Sequence, residues 1–190
     1  MFVSFWEVRL AMTLPATFRV ALILGGARSG KSGLAQRLAE SRGAPLLYLA
    51  TGAPGDEEMA ARIARHQRER GPAWETREAP LALPEAIAAA QGRFRAVLVD
   101  CLTLWLTNLI MQEAGEQDLE AAFDRLLAAA AQAASPLLLV SNEVGWGIVP
   151  DNALARRFRD LAGRLNQRLA AQADLVVLVA AGLPLILKQA

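Results

Sequence analysis

The chain has 190 residues, 54% of them hydrophobic, and a formal net charge of +1 at pH 7. That length fits one domain with a substantial core, and the near-neutral, evenly mixed charge gives no basis for a nucleic-acid binder held by bulk electrostatics. The longest apolar runs, LVVLVAAGLPLIL near the C-terminus and VALIL near the N-terminus, fall short of the roughly 18–20 unbroken apolar residues that cross a bilayer, so no membrane span is expected.

Residues 1–19 are read as an N-terminal extension, either disordered or arising from a mis-assigned start, with Met12 as the alternative start. The stretch lacks a basic beginning followed by a clean apolar core and is not read as a signal peptide. Cys101 is the one cysteine, so no intrachain disulfide is possible, and a reducing cytoplasm fits.

Residues 20–24 read as a buried strand, followed by a loop and a helix from about Gly30 to Arg42. PLLYLAT (45–51) is a second strand. DEEMAARIARHQRER (56–70) is a helix with acids in its first turn and arginines late, as the helix dipole favours. AWETREA (73–79) alternates as a short strand does, and PEAIAAAQ (84–91) is a short helix. RAVLVDC (95–101) is an apolar strand ending in an acid. Residues 102–113 and 117–134 are helical in pattern, and PLLLVSNE (136–143) is a strand running into a polar turn. Residues 152–172 form a long helix, and DLVVLVAAG (174–182) is the last strong strand. Continuous apolar strands alternating with helices predict an α/β fold, a mostly parallel sheet covered on both faces. Ligands of such sheets bind beyond the carboxyl ends of the strands, which groups Gly25–Ser32, Ala50–Gly52, Asp100 and Ser141–Val144 into one expected site.

Gly25-x-x-x-x-Gly30-Lys31-Ser32 matches the phosphate-binding P-loop in the required setting, after a strand and before a helix. Its glycines let consecutive backbone N–H groups point inward, and with the helix N-terminus these form an anion cradle. Lys31 is placed to reach the β- and γ-phosphates, and the Ser32 hydroxyl to ligate Mg²⁺. Asp100, at the end of AVLVD, stands where a second carboxylate for the metal is expected; the alternative is an ordinary strand-end aspartate capping the next helix. The loop specifies a nucleoside triphosphate, and residues 20–190 are therefore read as a single P-loop nucleotide-binding domain. The loop alone does not separate a kinase from a motor, a switch or a nucleotidyl transferase.

His66, the single histidine, shares a helical face with Met59 and Ile63, which fits a partly buried packing residue. Arg62, Arg65, Arg68 and Arg70 crowd the same turns. They fit a solvated basic face, or guanidiniums that grip phosphate oxygens around an imidazole acting as base or nucleophile on phosphorus. Position alone leaves both readings open.

GGARSGKS, EMAARIARHQRER, WETREA, VLVDCLTLWLTNL and SNEVGWGIVPDNALARRFRDLAGRLNQRLAAQAD together resemble the bifunctional adenosylcobinamide kinase / adenosylcobinamide-phosphate guanylyltransferase family of cobalamin biosynthesis, over about residues 20 to 188. The P-loop is generic to many families, whereas NEVGWGIVP and a histidine inside the EMAARI helix are far more specific. The resemblance implies a RecA-like P-loop fold, a homotrimer, and two reactions. Adenosylcobinamide is phosphorylated with ATP or GTP; GMP then passes from GTP to that phosphate through a GMP–histidine intermediate, giving adenosylcobinamide-GDP and pyrophosphate. The matching histidine is His66. Nucleotide contacts fall on Gly25, Gly26, Ala27, Arg28, Ser29, Gly30, Lys31 and Ser32, on Ala50, Thr51 and Gly52, on Gln67, Arg68, Glu69 and Arg70, and on Glu78 and Asp100.

Asn142 and Glu143, at a strand's carboxyl end, are placed to meet substrate or metal, or else form a structural turn. Trp105 and Trp146 are open to packing against a corrinoid ring or to core and subunit packing. Two other functions compete. A P-loop small-molecule kinase without nucleotidyl transfer forms no covalent nucleotide. A nucleotide-dependent switch or ATPase module acting on a protein partner shows no corrinoid dependence.

Overall fold

The computed structural model describes residues 14, 15, 17–52, 71–90 and 92–190. The helix expected over 56–70, and with it His66, Gln67, Arg68, Glu69 and Arg70, lies outside the described residues, as do residues 1–13.

The strands are β1 (Val20–Gly25), β2 (Leu46–Ala50), β3 (Trp74–Glu78), β4 (Ala96–Asp100), β5 (Leu137–Asn142), β6 (Leu175–Ala180) and β7 (Leu183–Gln189). They form one sheet in the order β3-β2-β4-β5-β1-β6-β7. All pairs are parallel except β6 with β7. The helices are α1 (Lys31–Glu40), α2 (Leu83–Ala90), α3 (Leu102–Met111), α4 (Glu116–Ala131) and α5 (Ala153–Gln172). None among the described residues is long and apolar enough to cross a membrane.

The central strands read as unbroken apolar runs because both of their faces are covered. In β1 every residue is buried, and alternate side chains enter opposite cores. Leu22 and Leu24 join a large core under α2, α3, α4 and α5. Ala21 and Ile23 join a second core with Leu34, Ala35 and Leu38 of α1. Leu14 and Phe18, just ahead of β1, are buried in that second core. The edge strand β3 has no fully buried residue, which is why its sequence alternates.

Local signals fix several ends. The Asn152 side chain accepts from Ala155 N at 3.1 Å and starts α5. Asp118 accepts from Gly115 N at 3.1 Å at the start of α4. Asp174 accepts from the backbone N–H groups of Arg19 (2.8 Å) and Val20 (2.9 Å), anchoring the start of β1. The Val20 hydrogen bond is the main cause that holds its carboxyl below the usual carboxylate range. On the outer side of α4 and α5, Arg164 pairs with Glu116 and Glu120, and Arg168 with Glu120 and Asp124.

The structure departs from the sequence reading at the C-terminus. The run after Ala180 does not simply end; it turns through Ala181 (φ 51°) and Gly182 (φ 81°) and returns as β7, antiparallel to β6. Two successive residues at positive φ are what a tight two-residue hairpin turn requires.

Candidate active site

The loop between β1 and α1 is fixed by backbone geometry. A Cβ on Gly25 would lie 2.5 Å from both Ser29 Oγ and Val179 O, so only glycine fits the end of β1. Gly30 has φ 96°, and its Cα packs so near the β6–β7 turn that an added Cβ would meet Gly182 Cα at 3.3 Å. Arg28 also has positive φ, at 57°, which completes the curl. One backbone bond closes the loop on itself, Ser29 N to Gly26 O (3.3 Å), and two brace it from its neighbours, Glu143 N to Gly25 O (3.2 Å) and Gly182 N to Ser29 O (2.9 Å). Lys31, the first residue of α1, is only 8% exposed, and its Nζ donates to Gly26 O at 3.0 Å, folding the ammonium back over the loop. Ser32, in the first turn of α1, is half-buried. Gly26 and Ala27 complete the loop, in the region where an anion meets inward N–H groups and the positive end of a helix.

The remaining candidates line the carboxyl ends of the strands. Glu78, Ala50, Asp100 and Val140 form one register row across β3, β2, β4 and β5. Asn142 pairs with Gly25 across β5 and β1. Asp100 does not stand directly beside the strand that leads into the P-loop. Strand β5 lies between β4 and β1, which sets Asp100 about 10 Å sideways from β1 at ordinary strand spacing. Asp100 still shares an electrostatic environment with Lys31, since both act on the neighbouring Cys101 thiol. Its Oδ2 accepts from the Tyr48 hydroxyl at 3.2 Å. Burial first, and the Asp100 carboxylate second, push the Cys101 thiol up, so this cysteine stays protonated and serves as a buried polar neighbour.

A polar knot supports Asp100 from behind. The peptide bond between Asp100 and Cys101 is cis. Thr51, fully buried, accepts from Cys101 N at 2.8 Å and donates to Cys101 O at 2.7 Å through one hydroxyl. Asn108 of α3 donates to Thr51 O (2.8 Å) and to Pro80 O (3.0 Å), tying the exits of β2 and β3 to the helix that follows β4. Thr103 receives the Asn142 side-chain amide at 2.7 Å, and Asn166 of α5 donates to Asn142 O at 3.2 Å. The Asn142 amide is thus turned inward as a bracket. The Glu143 carboxylate accepts from Gly145 N at 2.9 Å and shapes its own loop. Gly52 follows Thr51 at the rim, half-buried.

Tyr48, Thr103, Asn108 and Asn166 were not singled out from the sequence. The available signal was the pair of threonines and the asparagine on the otherwise apolar α3, LTLWLTNLIM, where a buried polar side chain needs a partner. The two tryptophans separate. Trp105 is 1% exposed, with its indole N–H donating to Leu81 O at 2.9 Å, and is a core residue. Trp146 is 77% exposed beside Ile148, 98% exposed, on the loop after β5. Among the described residues, no three His, Cys, Asp or Glu side chains form a metal cage.

Comparison with known proteins agrees with this geometry. The chain is 47% identical over 167 residues to the bifunctional adenosylcobalamin biosynthesis protein CobP of Pseudomonas aeruginosa, covering 88% of this chain and 96% of that protein. It is 46% identical over 180 residues to the bifunctional adenosylcobalamin biosynthesis protein CobU of Salmonella typhimurium, covering 88% of this chain and 98% of that one. Among solved structures, the flagellar accessory protein FlaH of Methanocaldococcus jannaschii superposes with a TM-score of 0.50 at 14% identity, over 90% of this chain and 78% of that one, a likeness of fold alone. The fold is thus the α/β P-loop architecture, with the mostly parallel, RecA-like sheet expected from the sequence. The model of one family, cobinamide kinase / cobinamide phosphate guanyltransferase, matches residues 21–187, and this chain belongs to that family.

Proposed function

We infer that the chain carries both reactions of its family: it phosphorylates adenosylcobinamide with ATP or GTP, then joins GMP from GTP to adenosylcobinamide phosphate. The observation that carries this reading is the family match over residues 21–187, and the braced Gly25–Lys31 loop with its buried lysine supports it as a cradle for a triphosphate. In the first reaction the acceptor hydroxyl attacks the γ-phosphorus, and the nucleoside diphosphate leaves. In the second, the His66 imidazole attacks the α-phosphorus of GTP, and pyrophosphate leaves. A phosphate oxygen of the acceptor then displaces the imidazole, giving adenosylcobinamide-GDP. Splitting one displacement into two is what a covalent intermediate accomplishes.

Lys31 and the loop N–H groups hold the β- and γ-phosphates. Gln67, Arg68, Glu69 and Arg70 follow His66 in sequence, and Glu78 closes the register row at the sheet's edge. The donor set fits Mg²⁺, which takes few protein oxygens and shares the substrate's phosphates. The Ser32 hydroxyl and the Asp100 carboxylate would hold it, and it would neutralise phosphate charge. A cytoplasmic homotrimer completes the reading. Association between copies is supported by the apolar face of β7, where Leu183, Leu185 and Leu187 are all exposed, and molar mass in solution reads the number of subunits directly.

The test is incubation of the purified chain with Mg²⁺ and GTP labelled at the α-phosphate, followed by a denaturing gel. The wild-type protein is expected to carry label as a phosphoramidate, labile in acid and durable in alkali. His66→Ala is expected to carry none and to keep much of the kinase activity, with His66→Asn as the companion that preserves polarity. Label on either variant overturns the assignment of the nucleophile.

A further inference from the structure

The amino edge of the sheet, opposite the P-loop, holds a cavity of about 460 Å³ lined by Arg42, Arg93, Phe94, Arg95, Ser135 and Pro136 among others. Arg42 follows α1, Arg93 and Arg95 flank Phe94 in the turn before β4, and Ser135 and Pro136 precede β5. The strands between this edge and the P-loop are five or six residues long, so the two regions lie about 17 Å apart or more.

Among the described residues, no carboxylate neutralises the charge here: none pairs with Arg42, Arg93 or Arg95, whereas Arg159, Arg164 and Arg168 of α5 all have acidic partners. The Arg42 guanidinium lies 4.4 Å over the Phe18 ring, and its Nε is buried without an acceptor. Arg42 is half-buried, and that burial lowers its pKa from the ordinary value. Arg93 sits 5.9 Å over the ring of Phe94, itself buried, which limits the arginine's freedom. Ser135 is buried, and its Oγ accepts from Gly92 N at 3.2 Å, which fixes the cavity floor. A buried guanidinium N–H without an acceptor is costly, and oxyanions satisfy guanidinium forks best. The volume falls in the ordinary range for small-molecule sites.

We propose that this cavity is a second anion site, which takes the phosphate groups of a phosphorylated small molecule through Arg42, Arg93 and Arg95, independently of the P-loop. It does not depend on the reaction assigned to the carboxyl edge.

The test is calorimetric titration of the full chain with inorganic pyrophosphate and, separately, with ADP. In a Lys31→Ala background, pyrophosphate binding is expected to persist. Adding Arg93→Gln and Arg95→Gln is expected to weaken it at least tenfold, and Arg93→Lys with Arg95→Lys to recover part of that loss. Both arginines are exposed, so the fold is expected to tolerate the changes. The same pair in the wild-type background is expected to leave the kinase rate unchanged, which confirms an intact fold. ADP binding more tightly than pyrophosphate at this site identifies a nucleoside phosphate as the ligand class; equal binding identifies free phosphate chemistry. Complete loss of binding in Lys31→Ala alone, or binding indifferent to the arginine substitutions, overturns the proposal.

Discussion

Two loops leave neighbouring strands at the carboxyl edge of the sheet, and they are held in opposite ways. The Gly25–Lys31 loop, after β1, is braced by backbone bonds to the start of the β5 loop and to the β6–β7 turn, and its lysine is buried. The loop after β5 exposes Val144, Trp146, Ile148 and Val149 in succession. Among the described residues, Glu143 and Gly145 tie it down locally, before Arg156 of α5 catches Pro150 O and Asp151 O. The first loop is finished by the chain itself. The second displays apolar surface that the described residues leave uncovered, as a surface that meets a large, partly apolar acceptor or another subunit does. The phosphate-binding loop is thus braced within the described residues, whereas they leave the apolar side chains of the loop after β5 uncovered.

The sharpest way to break this contrast is Lys31→Ala. On the proposed reading both reactions begin from a triphosphate in the same cradle, so both rates are expected to fall by about 10²-fold or more, measured as separate kinase and transferase assays. Wild-type rates in that protein would remove the loop from the site. A smaller effect is expected from Trp146→Ser combined with Ile148→Ser. Losing two exposed apolar side chains is expected to raise KM for adenosylcobinamide about tenfold while GTP self-labelling stays unchanged. A fall in molar mass in place of that KM effect would assign the second loop to subunit contact. The smallest effect is expected at the far end of β1. Asp174→Asn is expected to cost about 1 kcal/mol in denaturant unfolding, because the charged acceptor of two backbone N–H groups is replaced by a neutral one. The sign with pH follows from the lowered carboxyl pKa. The stabilisation is present above the ordinary carboxylate pKa and is lost as pH falls through the depressed value, so the wild-type advantage shrinks in acid.

Much of the first loop was legible in the sequence, because a P-loop is local: its spacing, preceding strand and following helix lie within a few residues. Asp100 was legible as a strand-end acid, but its neighbour was not. Which strand separates β4 from β1 depends on crossovers that no local pattern encodes. The strand β7 was hidden because LVVLVAAGLPLIL is apolar on both sides of Ala181 and Gly182, and the turn interrupts that run with no charged residue. The Thr51–Cys101–Asn108 knot was invisible for another reason: each bond joins a side chain to a distant backbone atom, and single polar residues on a core helix do not name their partners. Trp105 and Trp146 were indistinguishable by type and became core and surface only through position.

The bond from Gly182 N to Ser29 O has a consequence for how the protein is made. The P-loop is among the first parts of the domain to leave the ribosome, yet the turn that braces it is among the last. The parallel neighbours of β1, strands β5 and β6, are also late arrivals. Contacts of such large sequence separation form slowly. The phosphate-binding motif is therefore made well before the β6–β7 turn that braces it, and that brace is in place only once the hairpin has formed.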